Sequence, residues 1–363
     1  MIHIFIGTKA QYIKMAPVIR ILIKQGCKFN LIDTGQHAEI TLRLREEFKL
    51  GKPIFSASRS SNINTLTSAF RWTMRYFLLG IFKPGWLRER VFLNQKGICI
   101  IHGDTLSTLI SLLLAKRAGL KVAHIEAGLR SFSYFEPFPE EIIRIIAMRF
   151  SDFLFAPSDW AYNNLKKLKS KAKIFRLSNN TNLEAVKNAL EKAPQEPPIA
   201  LDRYCLVSIH RLENLFSFFR MRFITNLLIS LSTAMPIVFV QHPATIVQLR
   251  KFRQLTRLQK VNNIHIYSLL SHTQFIHILK GAQFVITDGG SVQEESFYLG
   301  IPCLLMRTHT ERQEGLGKNV LLSEFDPEKI AYFLKRYPEF KINSNLDSVS
   351  PSTEIVEVIR NYA

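Results

Sequence analysis

Short β-branched and apolar runs alternate with helical patterns through most of this chain, and that rhythm limits the folds open to it. The candidate strands are Ile2–Ile6, Phe29–Asp33, Ile98–Ile101, Lys121–Ile125 and Phe153–Ala156. A second group follows at Tyr204–Ser208, Ile237–Val240, Ile264–Tyr267, Phe284–Thr287 and Pro302–Met306. Apolar strands separated by helices pair in parallel and are covered on both faces. Two groups of them predict an α/β fold of two doubly wound, Rossmann-like domains.

At 363 residues the chain is long enough for two domains, each with its own core. The first is read as residues 1–172 and the second as 173–349, with a C-terminal helix at about 350–363 returning to pack on the first. The boundary is placed near Lys171–Lys173. The proline-rich stretch EKAPQEPPIA (191–200) is a loop, because proline breaks a helix interior. With 47% apolar and 21% charged residues, the composition is that of a folded globular protein.

No stretch reaches the roughly twenty apolar residues that span a bilayer. The run Tyr76–Phe82 is far too short, and the first residues lack a signal peptide's basic flank and cleavage site. The four cysteines are scattered without metal-ligand spacing and read as reduced core residues, so a cytoplasmic location is expected. The net charge of +19 suits a polyanion, an anionic membrane surface or a phosphate-bearing substrate. Its basic residues are dispersed and no nucleic-acid motif accompanies them, so a nucleic-acid partner is not expected, whereas peripheral membrane contact stays open.

In doubly wound folds, ligands bind where loops leave the carboxyl ends of the strands. After the first strand comes Gly7-Thr8-Lys9-Ala10-Gln11-Tyr12-Ile13-Lys14, a glycine turn with a hydroxyl and two lysines. It is either an anion site built from amides and charge or an ordinary strand-to-helix turn, and it lacks the Walker A ending. After the third strand comes His102-Gly103-Asp104-Thr105, where Asp104 either caps the next helix or serves a site.

The segment HIEAGLRSFSYFEPFPEEIIR (124–144) carries Glu126 past the fourth strand. A loop with four aromatics and two prolines then leads to Glu140-Glu141 at a helix start. Glu140 alone is explained by the helix dipole. Together, Asp104, Glu126 and Glu140 fall where neighbouring strand ends meet, and clustered carboxylates separate one another's pKa values into an acid and a base.

In the second half, His210-Arg211-Leu212-Glu213-Asn214 follows one strand, and Asp288-Gly289-Gly290-Ser291-Val292-Gln293-Glu294-Glu295 follows another. Glycines entering a helix amino terminus suit a diphosphate, and Glu295 stands where acidic residues take ribose hydroxyls. The alternative is a tight turn beside a surface acid pair. Arg307 and THTERQEG (308–315) follow the last strand and offer Arg312 as a further anion ligand. His272 and His277 are five apart, off the i, i+4 spacing, and no metal site is read.

These motifs, in this order, resemble the non-hydrolysing UDP-N-acetylglucosamine 2-epimerases. The matches are GT…IKMAP (7–17), TGQH (34–37), HGDT (102–105), HIEAGLRS with PFPEEIIR (124–144), HRLEN (210–214), TDGG…QEE (287–295) and MRTHTERQE (306–314). They run over nearly the whole chain, and the central block is highly specific. The resemblance implies a GT-B-like pair of domains facing a central cleft, a homodimer, and no redox cofactor or metal. It implies interconversion of UDP-GlcNAc and UDP-ManNAc by elimination of UDP to 2-acetamidoglucal and re-addition, for surface polysaccharide synthesis. Carried over by motif, Asp104, Glu126, Glu140, His210 and Lys14 are the implied catalytic residues. Thr8, Lys9, Arg144, Gly289, Gly290, Ser291, Glu295 and Arg312 are the implied UDP-sugar ligands.

The chain departs from the family pattern at several points. Lys9, Ala10 and Gln11 replace the usual arginine, proline and glutamate, and Gly289-Gly290-Ser291 replaces Ser-Gly-Gly. Asn179-Asn180-Thr181 with Glu184 stands for a Gly-Asn-Thr/Ser turn with a later Asp. Ala38 after His37, and the missing glycine after Asn214, touch the site where bacterial members bind a second UDP-GlcNAc, so no sigmoidal activation is expected. Related alternatives are an epimerase of a UDP-2,3-diacetamido uronic acid, a GT-B glycosyltransferase, and a non-catalytic UDP-sugar-binding protein.

Overall fold

The computed structural model describes residues 1–35, 38–56, 66–134, 136–168, 170–193 and 201–362. His37 of the TGQH motif and residues 194–200 of the proline-rich loop lie outside the described residues. The chain divides into two compact units, the first made of 1–130, 139–185 and 348–363 and the second of 131–138 and 186–347.

The first unit is built on seven parallel strands: β1 (Ile2–Ile6), β2 (Phe29–Asp33), β3 (Phe55–Ser56), β4 (Ile98–His102), β5 (Lys121–Ile125), β6 (Phe153–Ala156) and β7 (Lys173–Arg176). Their order is β3-β2-β1-β4-β5-β6-β7. The strand period of two sends Ile2, Ile4 and Ile6 to one face, where they meet Tyr12, Met15 and Ile19 of the helix Lys9–Lys24 and Ile355 and Ile359 of the helix Pro351–Arg360. Phe5 points to the other face, against Cys99, Ile101 and Leu114. Full burial of each such side chain contributes about 1.5–3 kcal/mol.

The second unit holds six parallel strands: β8 (Cys205–Ser208), β9 (Ile237–Val240), β10 (Ile264–Tyr267), β11 (Phe284–Thr287), β12 (Cys303–Leu305) and β13 (Val320–Leu322). They run in the order β10-β9-β8-β11-β12-β13. Its core packs Val207, Phe239, Phe284 and Leu304 against Ile224, Leu228 and Phe333.

The ten strands expected from sequence are present, two of them a residue or two shorter than read. Three more, β3, β7 and β13, are sheet edges. An edge strand is wet on one side, so it needs no continuous apolar run: β3 has two half-buried residues and β7 begins and ends on exposed basic ones.

In each sheet the order reverses once, between β1 and β4 and between β8 and β11. Loops leaving the strand ends there diverge and open a crevice. Pairing of His102 with Ile125 sets the ends of β4 and β5 level, so Gly103 and Glu126 emerge side by side.

Cys99, Cys205 and Cys303 are buried and unpaired in disulfides. Among the described residues, no helix is long and apolar enough to cross a membrane, and no group of three His, Cys, Asp or Glu is arranged to hold a metal ion.

Candidate active site

In the first unit the chemistry gathers on Glu126. Its backbone has φ 66°, the left-handed region that disfavours a side chain, and such positions persist only where surroundings hold them. Two donors do so here. Lys14 Nζ lies 2.6 Å from Glu126 Oε2, and Asn180 Nδ2 donates to the same oxygen at 2.7 Å. All three residues are at least nine-tenths buried. His102 Nε2 stands 3.9 Å from that oxygen, too far for a hydrogen bond, and among the described residues it has no hydrogen-bond partner.

Burial holds His102 at a pKa of about 4 against the pull of Glu126, and holds His124 at about 4 although Nε2–H donates to Gly103 O at 2.8 Å. Both imidazoles are therefore neutral near pH 7, and Lys14 is the cation that meets Glu126.

Asp104 is not the helix cap. Thr105 fills that role, its hydroxyl accepting from Thr108 N at 3.4 Å. The Asp104 carboxylate is left to pair with the guanidinium of Arg144, which is 1% exposed. The other side of that guanidinium pairs with Glu141, and Glu141 also pairs with Arg130. Glu140 is half-buried at the first position of the helix Glu140–Phe150. The i, i+3 spacing on this helix lets the second glutamate of the pair meet the Arg144 guanidinium one turn on.

The turn after β1 corrects one expectation. The amides of Gly7 and Thr8 were read as candidate anion ligands, but both donate to Gln11 Oε1, at 2.9 and 3.1 Å. Gln11 Nε2 reaches His102 O at 2.8 Å and the hydroxyls of Thr105 and Thr108 at 3.1 and 3.0 Å. Gln11 therefore stitches the β1 turn to the β4 turn, and Lys9, half-buried, remains as the charged member of that turn. Gly7 is required by closeness, since an added Cβ would lie 1.6 Å from Thr34 Oγ1.

In the second unit, Asp288 is the hub. Fully buried at the end of β11, it accepts from His210 N at 2.9 Å, Arg211 N at 3.0 Å and Asn214 Nδ2 at 2.9 Å. Burial raises its pKa, and those bonds oppose the rise. The His210 ring stacks on His242 with centroids 4.4 Å apart.

Gly289 precedes the helix Gly290–Leu299 and donates its own amide to Thr287 Oγ1 at 3.0 Å; among the described residues no side chain caps the helix start, which leaves the amides of Gly290 and Ser291 for a ligand. A Cβ on Gly289 would lie 2.7 Å from His210 Cε1, and one on Gly290 2.6 Å from Glu311 Oε1 and 3.0 Å from Arg312 Nε. Ser291 follows, half-buried. Arg312 is held against this turn by Glu294, 2.9 Å from Nη1. Glu295 lies 3.3 Å from His272 Nε2. An uncapped helix start, close backbone and a fixed guanidinium suit a phosphate group.

A family model described as UDP-N-acetylglucosamine 2-epimerase matches residues 22–352. The chain belongs to that family, whose members are isomerases. It is 33% identical over 346 residues to the UDP-N-acetylglucosamine 2-epimerase of Methanococcus maripaludis, covering 91% of this chain and 89% of that protein. It is 30% identical over 328 residues to the UDP-2,3-diacetamido-2,3-dideoxy-D-glucuronate 2-epimerase of Pseudomonas aeruginosa, covering 87% and 86%. The Methanocaldococcus jannaschii UDP-GlcNAc 2-epimerase, solved in complex with UDP-GlcNAc and UDP, superposes with a TM-score of 0.86 at 28% identity and 99% coverage of both chains. The expected pair of Rossmann-like, GT-B-like domains agrees with that likeness.

Within this epimerase-family chain, Asn180, His102, Glu141, Arg130, His242 and Gln293 join the site beyond the residues expected from sequence. A post-strand position marks three of them: His102 ends β4, His242 lies two residues past β9 and Asn180 four past β7. The i, i+3 spacing of Glu141 and Arg144 was a further signal. Gln293 shows no such mark, and its bonds to Arg312 O and Glu314 O at 3.2 and 3.0 Å emerge only in three dimensions.

Proposed function

We propose that this chain interconverts UDP-GlcNAc and UDP-ManNAc, with Asp104, Glu126 and Glu140 carrying the acid–base work. The observation that supports it most is the buried Glu126 carboxylate at a strand end, held by Lys14 in a region whose two histidines are neutral. One carboxylate takes the C2 proton while the C1–O bond breaks, UDP leaves with the electron pair, and a 2-acetamidoglucal remains. UDP then re-adds at C1 as a proton is returned to the opposite face of C2. Arg144 orients Asp104 from behind. The amides of Gly290 and Ser291 and the guanidinium of Arg312 hold the diphosphate, Gly289 lets it approach the backbone, His210 stabilises charge on departing UDP, Glu295 takes the ribose, and Thr8 and Lys9 contact the sugar nucleotide. The likeness to the M. jannaschii protein, solved with UDP-GlcNAc and UDP, supports this choice of substrate.

A second reading, an epimerase of a UDP-2,3-diacetamido uronic acid, is supported by the P. aeruginosa relative. We further propose a cytoplasmic homodimer that supplies an activated amino sugar for polysaccharide synthesis; light scattering giving a single-chain mass would remove the dimer.

The test follows hydrogen at C2. In deuterated buffer with UDP-GlcNAc, deuterium should enter C2 as UDP-ManNAc appears. Exchange confined to the diacetamido uronate substrate would select the second reading. No exchange with either would sink the epimerase reading, since a glycosyltransferase or a binding protein leaves C2 untouched.

A further inference from the structure

We infer that Asn180 is a positioning residue for the reaction: its amide, with the Lys14 ammonium, clamps one oxygen of Glu126 so that the carboxylate meets the sugar in one orientation. The inference rests on the acid–base reading of Glu126 above. Both donors converge on Oε2, at 2.6 and 2.7 Å, from elements far apart in sequence, the helix after β1 and the turn after β7. Glu126 sits past the end of β5 with φ 66°, outside the regular ladder, so tethers on the side chain decide where it points. A tether matters because a reacting group misplaced by about 1 Å costs on the order of 10²-fold in rate.

The two ends of the Asn180 amide do separable work. Oδ1 accepts from Asn182 N at 3.2 Å and shapes the entry of the helix Thr181–Glu191, whereas Nδ2 serves Glu126. Asn180→Asp therefore keeps the structural acceptor and removes the donor. The titratable groups around this point are Glu126 itself, Lys14 from the first helix and His102 from β4. On neighbouring turns Glu184 is engaged by Ser350 and Ser352, and Glu354 by Ser178.

With UDP-GlcNAc as substrate, Asn180→Asp should lower kcat about 10²-fold near neutral pH while KM and UDP affinity stay within about 3-fold. The deficit should shrink as pH falls, because a proton shared between the two facing carboxylates restores an O–H donor. Asn180→Ala should lose kcat with no recovery at low pH. Wild-type kcat in Asn180→Asp across the pH range would overturn the inference and leave Asn180 a turn residue. Parallel losses of kcat, UDP affinity and melting temperature would also overturn it. Asn180→Asp tests the claim even where the alanine variant fails to fold. Absence of C2 exchange in the wild-type protein is a separate result, which overturns the proposed function and this inference with it.

Discussion

Lys14 and Glu126 form an ion pair 2.6 Å long whose side chains are only 4% and 6% exposed. Opposite charges removed from water stabilise each other, and neither tolerates the loss of its partner. Lys14→Met should therefore lower unfolding free energy by about 3–5 kcal/mol. Lys14→Met with Glu126→Gln should lose clearly less than the sum of the single changes. Urea unfolding of the four proteins measures the coupling, and additive losses would show that the pair acts independently.

Amide replacements at the carboxylates separate chemistry from structure. Asp104→Asn, Glu126→Gln and Glu140→Gln should each reduce turnover by ~10²–10⁴-fold with UDP affinity little changed. Asp104 also anchors Arg144 and Glu126 neutralises Lys14, so these two variants should lose melting temperature as well. Normal specific activity in Glu140→Gln would return that residue to a helix-dipole role.

Acid should destabilise the fold through its buried histidines. His3, His102 and His124 all have pKa values lowered to about 4, chiefly by burial. Their folded pKa lies below the unfolded value of about 6.5, so between these limits the unfolded chain binds more protons. Stability is thus intact above about pH 6.5 and falls toward pH 4, by an amount on the order of 3 kcal/mol for each histidine. His124→Gln should flatten the pH dependence of the urea midpoint over that window. An unchanged slope would mean that His124 has the same pKa in the folded and the unfolded protein.

The glycine turn after β11 leaves no room for a methyl group. Gly290→Ala should push Glu311 and Arg312 aside, because its Cβ would come within 2.6 and 3.0 Å of them. Calorimetry should show UDP affinity falling by at least about tenfold, or 1.4 kcal/mol. Unaltered affinity would place the diphosphate elsewhere.

Glu184 closes the first unit by binding the start of the C-terminal helix. Its carboxylate accepts from Ser350 Oγ at 2.7 Å and Ser352 N at 3.0 Å, and from the Ser352 hydroxyl. That is an N-terminal cap supplied from another helix, so Glu184→Ala should cost about 0.5–2 kcal/mol. Hydrogen exchange should quicken first in Ser352–Glu357; protection there equal to wild type would contradict the capping role.

Strand runs such as Ile2–Ile6 and Phe284–Thr287 were legible because burial on both faces demands an unbroken apolar stretch, and that demand is local. The residues after those strands were legible for the same reason: once a parallel sheet is known, its carboxyl ends are where ligands bind. Asp104, Glu126, Asp288 and the two glycines could be singled out before any coordinates. Edge strands β3, β7 and β13 escaped: β3 and β13 are only two and three residues long, and β7 begins and ends on exposed basic residues.

Pairing was a different matter. Lys14 and Asn180 reach Glu126 across 112 and 54 residues of chain, and only strand order and register bring them to one oxygen. Adjacent residues with similar propensities were likewise undecided, and Thr105 rather than Asp104 caps its helix. Gln11 consumes amides that a strand-to-helix turn otherwise offers to a ligand. Local burial and backbone preference act over a few residues and are written in the sequence. The partner of a buried polar group is chosen by packing across the sheet, and that choice exists only in the folded chain.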